Sequence, residues 1–364
     1  MKKTAFVLML ALLGSLRVHA AEPMADLDAW SAAKLMGVGT NIGNTLDNTT
    51  QWETGWGNPP ITRKFVENLA ALGFKTVRVP VAWDTYARDG RITDEKLARV
   101  GEVVDWINQA GMFAVVNIHW DGGWIDSSNK KKFASTYATF SADAERKYRA
   151  YWMQIANYFA DRNELLVFEA LNEKTKFDGA GSQKKAYETL TRVNQIFIDT
   201  VRATGGNNAK RLLIVTGYAT DIEKTTNSDY VLPKDTVPHK LFISVHYYTP
   251  WTFAGMDKDE SWGRVQPGWG SAGDIAQLKR LFDAMQEFCT RNDIPAFIGE
   301  FGVTQKREAV QRVRWMLAVA QSALTRKMVP VLWDTGGDLP RTAPYGASAA
   351  LRLVLQGGRP VASQ

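Results

Sequence analysis

Two glutamates in this 364-residue chain sit where a carboxylate could do chemistry. The run LLVFEALNE (residues 165 to 173) ends abruptly in Asn172 and Glu173, and PAFIGEFG (295 to 302) carries Glu300. Apolar runs without polar alternation read as strands buried on both faces, as in a parallel sheet. The C-terminal ends of such strands are where α/β barrels keep their reactive groups. A carboxylate buried there is costly unless it is paired or hydrogen-bonded. Other strand-like runs end in the same manner: Asn41 closes the first, Arg78 lies in TVRVP, and His119 and Trp120 end the third. His246 and Tyr248 belong to the sixth and Trp333 to the eighth. Singly, each has an ordinary structural explanation, such as an ion pair for Arg78, a satisfied core histidine for His119 or a core plug for Trp333. Gathered at one face, they form a polar, titratable and aromatic cleft. Two carboxyl groups facing across such a cleft can cleave a glycosidic bond, one protonating the leaving oxygen while the other attacks or activates water.

The elements that would bring them together follow from periodicity. Strand runs fall at residues 36–41, 74–81, 112–119, 165–173, 211–217, 240–248, 295–302 and 328–336. Helical spacing falls between them at 62–72, 94–110, 141–161, 182–203, 271–291, 307–325 and 348–356, with an irregular helical piece after the fifth strand. Strict alternation predicts a parallel sheet, and eight units predict a single-domain (β/α)8 TIM barrel. Residues 21 to 31 read as a short polar lead into it. GVGTNIG (residues 37 to 43) resembles a dinucleotide fingerprint, but its last glycine is one residue late and no amphipathic helix follows at once.

Composition excludes several classes. Residues 1–20 form a secretory signal peptide: Lys2 and Lys3, the apolar run Ala5 to Leu13, and Val18-His19-Ala20 before the cut. The barrel is then residues 21–364, and export leads to the periplasm or the medium. Losing Lys2, Lys3 and Arg17 lowers the formal charge from +6 to +3, which points to neither nucleic acid nor a membrane surface. Cys289 is the lone cysteine, so no internal disulfide forms, and it reads as a small buried hydrophobe on a helix. The mature histidines, His119, His239 and His246, include no His-x-His pair, and no Gly-x-Ser-x-Gly elbow is present, so no metal or other cofactor is expected. The 13 tryptophans are mostly core, with Trp56, Trp124 or Trp251 available to extend a sugar cleft.

Over essentially the whole mature chain the sequence resembles glycoside hydrolase family 5 cellulases. The resemblance is carried by NIGNTL (41 to 46), ETGWGNPP (53 to 60), TVRVPVAW (76 to 83), NIHWDGGW (117 to 124), ALNE (170 to 173), SVHYYTPW (244 to 251), IGEFG (298 to 302) and LWDTGG (332 to 337). The WGNPP and HYYTPW segments are most similar to the branch rich in endo-β-1,4-glucanases. The resemblance implies that Glu173 is the acid/base, Glu300 the nucleophile and Asn172 the partner of the sugar 2-OH. It implies that Arg78 and Tyr248 hold the nucleophile, with His119 and His246 lining the cleavage subsite and Trp333 as its platform. Trp120 stands where many relatives carry a second histidine, and Thr335 where relatives often have Asn. The expected substrate is a β-glucan polysaccharide or oligosaccharide, acted on by a monomer. β-Mannanase and xyloglucan-specific endoglucanase are the alternatives within the fold. A non-catalytic glycan-binding protein is a further one, although such proteins usually lose a catalytic carboxylate.

Overall fold

The computed structural model describes residues 25–126, 139–173 and 177–357. The expected signal peptide lies outside them. Eight parallel strands close into one barrel in sequence order. They are β1 (Gly39–Asn41), β2 (Thr76–Val79), β3 (Phe113–Asn117), β4 (Leu166–Glu169), β5 (Leu213–Thr216), β6 (Leu241–Tyr247), β7 (Ala296–Phe301) and β8 (Val329–Leu332). Each lies inside one of the runs anticipated from the sequence, trimmed at both ends except β1, which keeps its end at Asn41.

The barrel interior changes character along its axis. Because strand side chains alternate with period two, Phe113 and Val115 of β3 share a face with Asn117. Val167 of β4 shares one with Glu169, and Phe242 of β6 with Ser244 and His246. The apolar members form one buried cluster with Leu212, Ile214, Phe297, Val329 and Val331. The polar members make a layer above it, toward the strands' C-terminal ends.

Helix α1 (Ala29–Met36) closes the lower end. Asp28 caps it through a side-chain bond from the Ser31 amide, and Ala29, Ala32, Ala33 and Met36 join the barrel's interior cluster. The stretch read as a polar lead is therefore structural from Asp28 onward. Its small, alanine-rich face was overlooked because eight residues show barely two turns of periodicity.

Outside, α2 (Arg63–Leu72), α3 (Asp94–Gln109), α4 (Ala142–Tyr158) and α5 (Gln183–Ala203) surround the first half. The short α6 (Ile222–Thr225) and α7 (Trp251–Ala254), then α8 (Ala272–Asn292), α9 (Ala309–Thr325) and α10 (Ala349–Gly357), complete the ring. Ser141 and Ser182 cap α4 and α5 by accepting backbone N–H bonds, and Ser271 with Asp274 forms a capping box on α8. Cys289 is buried on α8, where burial pushes its thiol up to about 12. It is packing, as expected. Among the described residues no helix is long and apolar enough to cross a membrane.

Two of the three glycines of GVGTNIG, Gly39 and Gly43, serve close packing. A Cβ on Gly39 would lie 2.9 Å from the Thr76 carbonyl, and one on Gly43 would lie 2.9 Å from the Trp333 ring.

Candidate active site

The C-terminal mouth of the barrel opens into a cavity of about 710 Å³. His119, Trp120, Asn172, Glu173, Tyr248, Glu300 and Trp333 all line it. Of the ten site residues named from sequence, the remaining three lie just behind. Arg78 and Asn41 are fully buried and His246 nearly so.

Arg78 is the hub. Its Nη1 donates to Glu300 Oε1 at 2.9 Å and to Asn41 Oδ1 at 3.0 Å, and its Nη2 to Asn172 Oδ1 at 2.8 Å. Its Nε donates to Glu169 Oε2 at 2.6 Å. Burying a guanidinium is unfavourable unless it is paired and fully bonded, and here four acceptors meet it. Because Asn172 spends its oxygen on Arg78, its amide N–H groups are left for the cleft. Asn41 in turn donates to the carbonyls of Gly299 and Leu332, at 2.9 and 3.1 Å. It braces the barrel mouth behind the reacting groups.

Glu300 reaches the site through a bulge. Val245 pairs with Ile298, yet His246 pairs with Glu300, so Gly299 is an extra residue on β7. In an unbroken ladder the next pair would put Gly299 opposite His246. One inserted residue shifts every later side chain to the other face. A Cβ at Gly299 would lie 3.0 Å from Ser244 Oγ and 3.1 Å from His246 Nε2, so a larger residue there would press on both side chains.

The two carboxylates differ in surroundings. The Glu300 side chain is 6% exposed and that of Glu173 is 49% exposed. Glu300 Oε2 also accepts from the Tyr248 hydroxyl at 2.9 Å. Burial raises the Glu300 pKa, outweighing the lowering by the His246 and Arg78 charges and the Tyr248 hydrogen bond. Tyr248 is itself pushed well above the ordinary phenol range, first by burial and then by the charges of Glu300 and Glu173. It stays a donor.

His246 stands between them, its Nδ1 2.9 Å from Glu173 Oε1 and 3.6 Å from Glu300 Oε2. Its Nε2 has no hydrogen-bond partner among the described residues, so a neutral ring keeps its proton on Nδ1. Burial acts to lower its pKa, but the Glu300 charge and the Glu173 hydrogen bond outweigh that, and the net direction is upward. His119 goes the other way: burial, then the charges of Arg78 and His246, hold it well below the usual histidine value. A neutral His119 accepts weakly from Asn117 Nδ2 at Nδ1, 3.5 Å away, which leaves its Nε2–H for the cleft.

Glu173, His246 and Glu300 each bring a possible ligand atom within 4.8 Å of the other two. A search for metal ligands by sequence spacing could not see this group, because the turn after β4, strand β6 and strand β7 each supply one member. Arg78 already provides a cation at Glu300.

The sequence reading missed Glu169. The buried carboxylate of LLVFEALNE is Glu169, the last residue of β4, whereas Glu173 lies in the turn beyond, half-exposed. The signal was a lone charged residue inside an apolar strand, which demands a buried partner. Trp124 is 2% exposed, with Nε1 toward Asp121, and belongs to the core rather than the cleft. Trp251, about half exposed, lines the cavity and meets Tyr248 edge-on. Trp120 stands exposed on the cavity wall and Thr335 lines it.

The model of the family "Cellulase (glycosyl hydrolase family 5)" matches residues 37–338. Endoglucanase A of Paenibacillus barcinonensis is 35% identical over 354 residues, covering 86% of this chain and 84% of that protein. Among solved structures, a Bacteroides ovatus GH5 xyloglucanase in complex with a XXXG heptasaccharide aligns with a TM-score of 0.81 at 28% identity, covering 92% of this chain and 77% of that one. A GH5-4 broad specificity endoglucanase from Ruminococcus champanellensis with bound cellotriose aligns with a TM-score of 0.79 at 31% identity, covering 92% and 99%.

Proposed function

The chain belongs to glycosyl hydrolase family 5, and from that premise we propose that it is an exported endo-β-1,4-glucanase acting by retaining double displacement. The observation that carries this reading is the asymmetric carboxylate pair. An oxygen of Glu173 and one of Glu300 lie within 4.8 Å of each other, whereas an inverting pair stands about 6.5–9.5 Å apart to admit a water.

Glu300, fixed by Arg78 and Tyr248, has one oxygen on each donor and is aimed rather than solvated; it attacks the anomeric carbon. Glu173, half-exposed and hydrogen-bonded to His246, faces the leaving oxygen and protonates it. The glycosyl-enzyme on Glu300 is then opened by water that Glu173 deprotonates. Asn172 offers its amide N–H groups to the sugar's 2-OH. His119 and Trp333 floor the subsite. The open cavity, with Trp251 along it, suits internal attack on a chain. A charged residue cluster of this kind supports catalysis over mere glycan binding, since binding alone gives no reason to bury Arg78 between carboxylates.

Soluble mixed-linkage glucan, carboxymethylcellulose, xyloglucan and mannan are assayed side by side for reducing ends and viscosity. Rapid viscosity loss on a β-1,4-glucan is expected, with the first product the β-anomer by NMR. Cleavage of mannan alone, or initial release of the α-anomer, sinks the reading. The xyloglucanase likeness supports a second reading in which xyloglucan is the preferred glucan. Export is tested by the mature N-terminus of the secreted or periplasmic protein, expected at Ala21.

A further inference from the structure

Glu169 is fully buried inside the barrel, one layer below the reacting carboxylates. Its Oε2 accepts from Arg78 Nε at 2.6 Å and Asn117 Nδ2 at 2.9 Å, and its Oε1 from Ser244 Oγ at 2.8 Å. Arg78 therefore lies between two carboxylates, Glu169 on its Nε edge and Glu300 on Nη1. One guanidinium cannot neutralise both. A buried ion pair is weak evidence for a stabilising role, because desolvation offsets the attraction. An apolar residue continuing the layer of Val167 would fill the space without a buried charge.

We infer that Glu169 is a positioning residue for the reaction: it fixes the Nε edge of Arg78, so aiming Nη1 at Glu300 and Nη2 at Asn172, and it takes up positive charge that would otherwise weaken Glu300 as a nucleophile. The inference rests on the reading of Glu300 as nucleophile. A carboxylate paired alone with an arginine falls by about one to three pH units and loses basicity with it. With Glu169 in place, the Arg78–Glu169 pair is close to neutral and Glu300 keeps its basicity. The other groups facing Glu300 are His246 from β6, Tyr248 just beyond it, Glu173 beyond β4 and, more distantly, Asp47 from the loop after β1. Glu169 itself meets Asn117 from β3, which also contacts His119, and Ser244 from β6. Neither Asn117 nor Ser244 carries a charge, so replacing Glu169 alone removes one negative charge from this set and adds none.

Glu169→Gln fits the site. The amide oxygen can keep the bonds from Arg78 and Asn117, and the amide nitrogen can donate to the Ser244 hydroxyl, which accepts equally well. The full-length variant is compared with wild type by circular dichroism and by the pH dependence of kcat/KM on a soluble cello-oligosaccharide. A second readout is the pH dependence of inactivation by an activated 2-deoxy-2-fluoro-cellobioside, which traps the nucleophile. The expected result is a folded protein whose acid limb moves down by about one pH unit in both profiles, with kcat at the optimum reduced roughly tenfold or more. Glu169→Asp keeps the charge, so its acid limb should coincide with that of wild type despite a lower rate. An acid limb in Glu169→Gln that stays put or moves up overturns the inference, whatever the loss of rate. If Glu169→Gln does not fold, Glu169→Asp decides: an acid limb that moves down although the charge is retained overturns it, and one that coincides with wild type supports it. If wild type itself forms no adduct with the fluorosugar, the nucleophile assignment fails instead.

Discussion

The rings of His119 and Trp333 lie parallel, with 3° between their planes and 5.8 Å between their centroids. The offset indole rests on the Gly43 backbone, and both rings line the cavity beside Glu300. The ends of β3 and β8 thus present two parallel aromatic faces beside Glu300, the carboxylate proposed to attack the sugar.

Trp333→Ala should therefore act on the chemical step. A platform that holds a distorted ring contributes mainly as the transition state forms. A loss of ~2 kcal/mol, or about 30-fold in kcat, is the expected scale. Steady-state kinetics on a cello-oligosaccharide separate the cases. A raised KM with unchanged kcat would make Trp333 a binding residue only.

The two glutamates should fail differently. Both alanine variants should lose hydrolysis of natural glucan, whose leaving group needs a proton. With an activated aryl cello-oligosaccharide, Glu173→Ala should still form the glycosyl-enzyme and then stall, with azide rescuing it as the β-glycosyl azide. Glu300→Ala has no nucleophile and should form no adduct on any substrate. Intact-protein mass spectrometry reads the adduct. Accumulation in Glu300→Ala and not in Glu173→Ala would invert the roles.

The acid limb of kcat/KM should lie above the ordinary glutamate value of about 4.3. Burial raises the Glu300 pKa, so the charged form needed for attack is lost as pH falls through a higher value than usual. The Tyr248 phenol, raised far up, adds no limb near neutrality. The same raised pKa has a stability consequence. Glu300 favours folding most below its unfolded pKa, and that contribution fades as pH rises through the folded one. Glu300→Gln should accordingly gain thermal stability relative to wild type at neutral pH and not at pH 4. Melting curves at the two pH values check this, and an acid limb at or below 4.3 would contradict it.

Chelation should leave activity intact. Glu173, His246 and Glu300 come close enough to hold an ion, but Arg78 and Tyr248 already occupy both oxygens of Glu300. Activity after prolonged dialysis against excess chelator is the check. A large loss restored by one divalent metal, without unfolding, would rule out the metal-free mechanism.

Much of this protein was legible before any fold was known. Alternating apolar runs and amphipathic segments dictate eight strand–helix units, because parallel strands must be buried on both faces and their connections must cross over. Strand ends then place Asn41, His119, Asn172, His246 and Trp333 at one rim. Spacing misled where a feature was short or long-range. Helix α1 spans only Ala29–Met36, too brief for its period to stand out. Trp124 looked available, but whether an indole is core or cleft depends on what packs over it.

Sequence alone determined which strand ends carry the polar and aromatic residues of the barrel mouth. Tertiary structure decided what each is there. Glu300 points inward because the bulge at Gly299 shifts the ladder against β6, a register that only strand pairing defines. Arg78 meets Glu169 and Glu300, 91 and 222 positions away, and the sharing of its charge exists only once the barrel has closed. Glu173 and Glu300 are the same amino acid at the ends of two similar runs. One is half-exposed beside a histidine and the other is buried between an arginine and a tyrosine. Charge stabilisation depends on solvent access and on through-space partners. Those are properties of the folded neighbourhood, and no local window of sequence contains them.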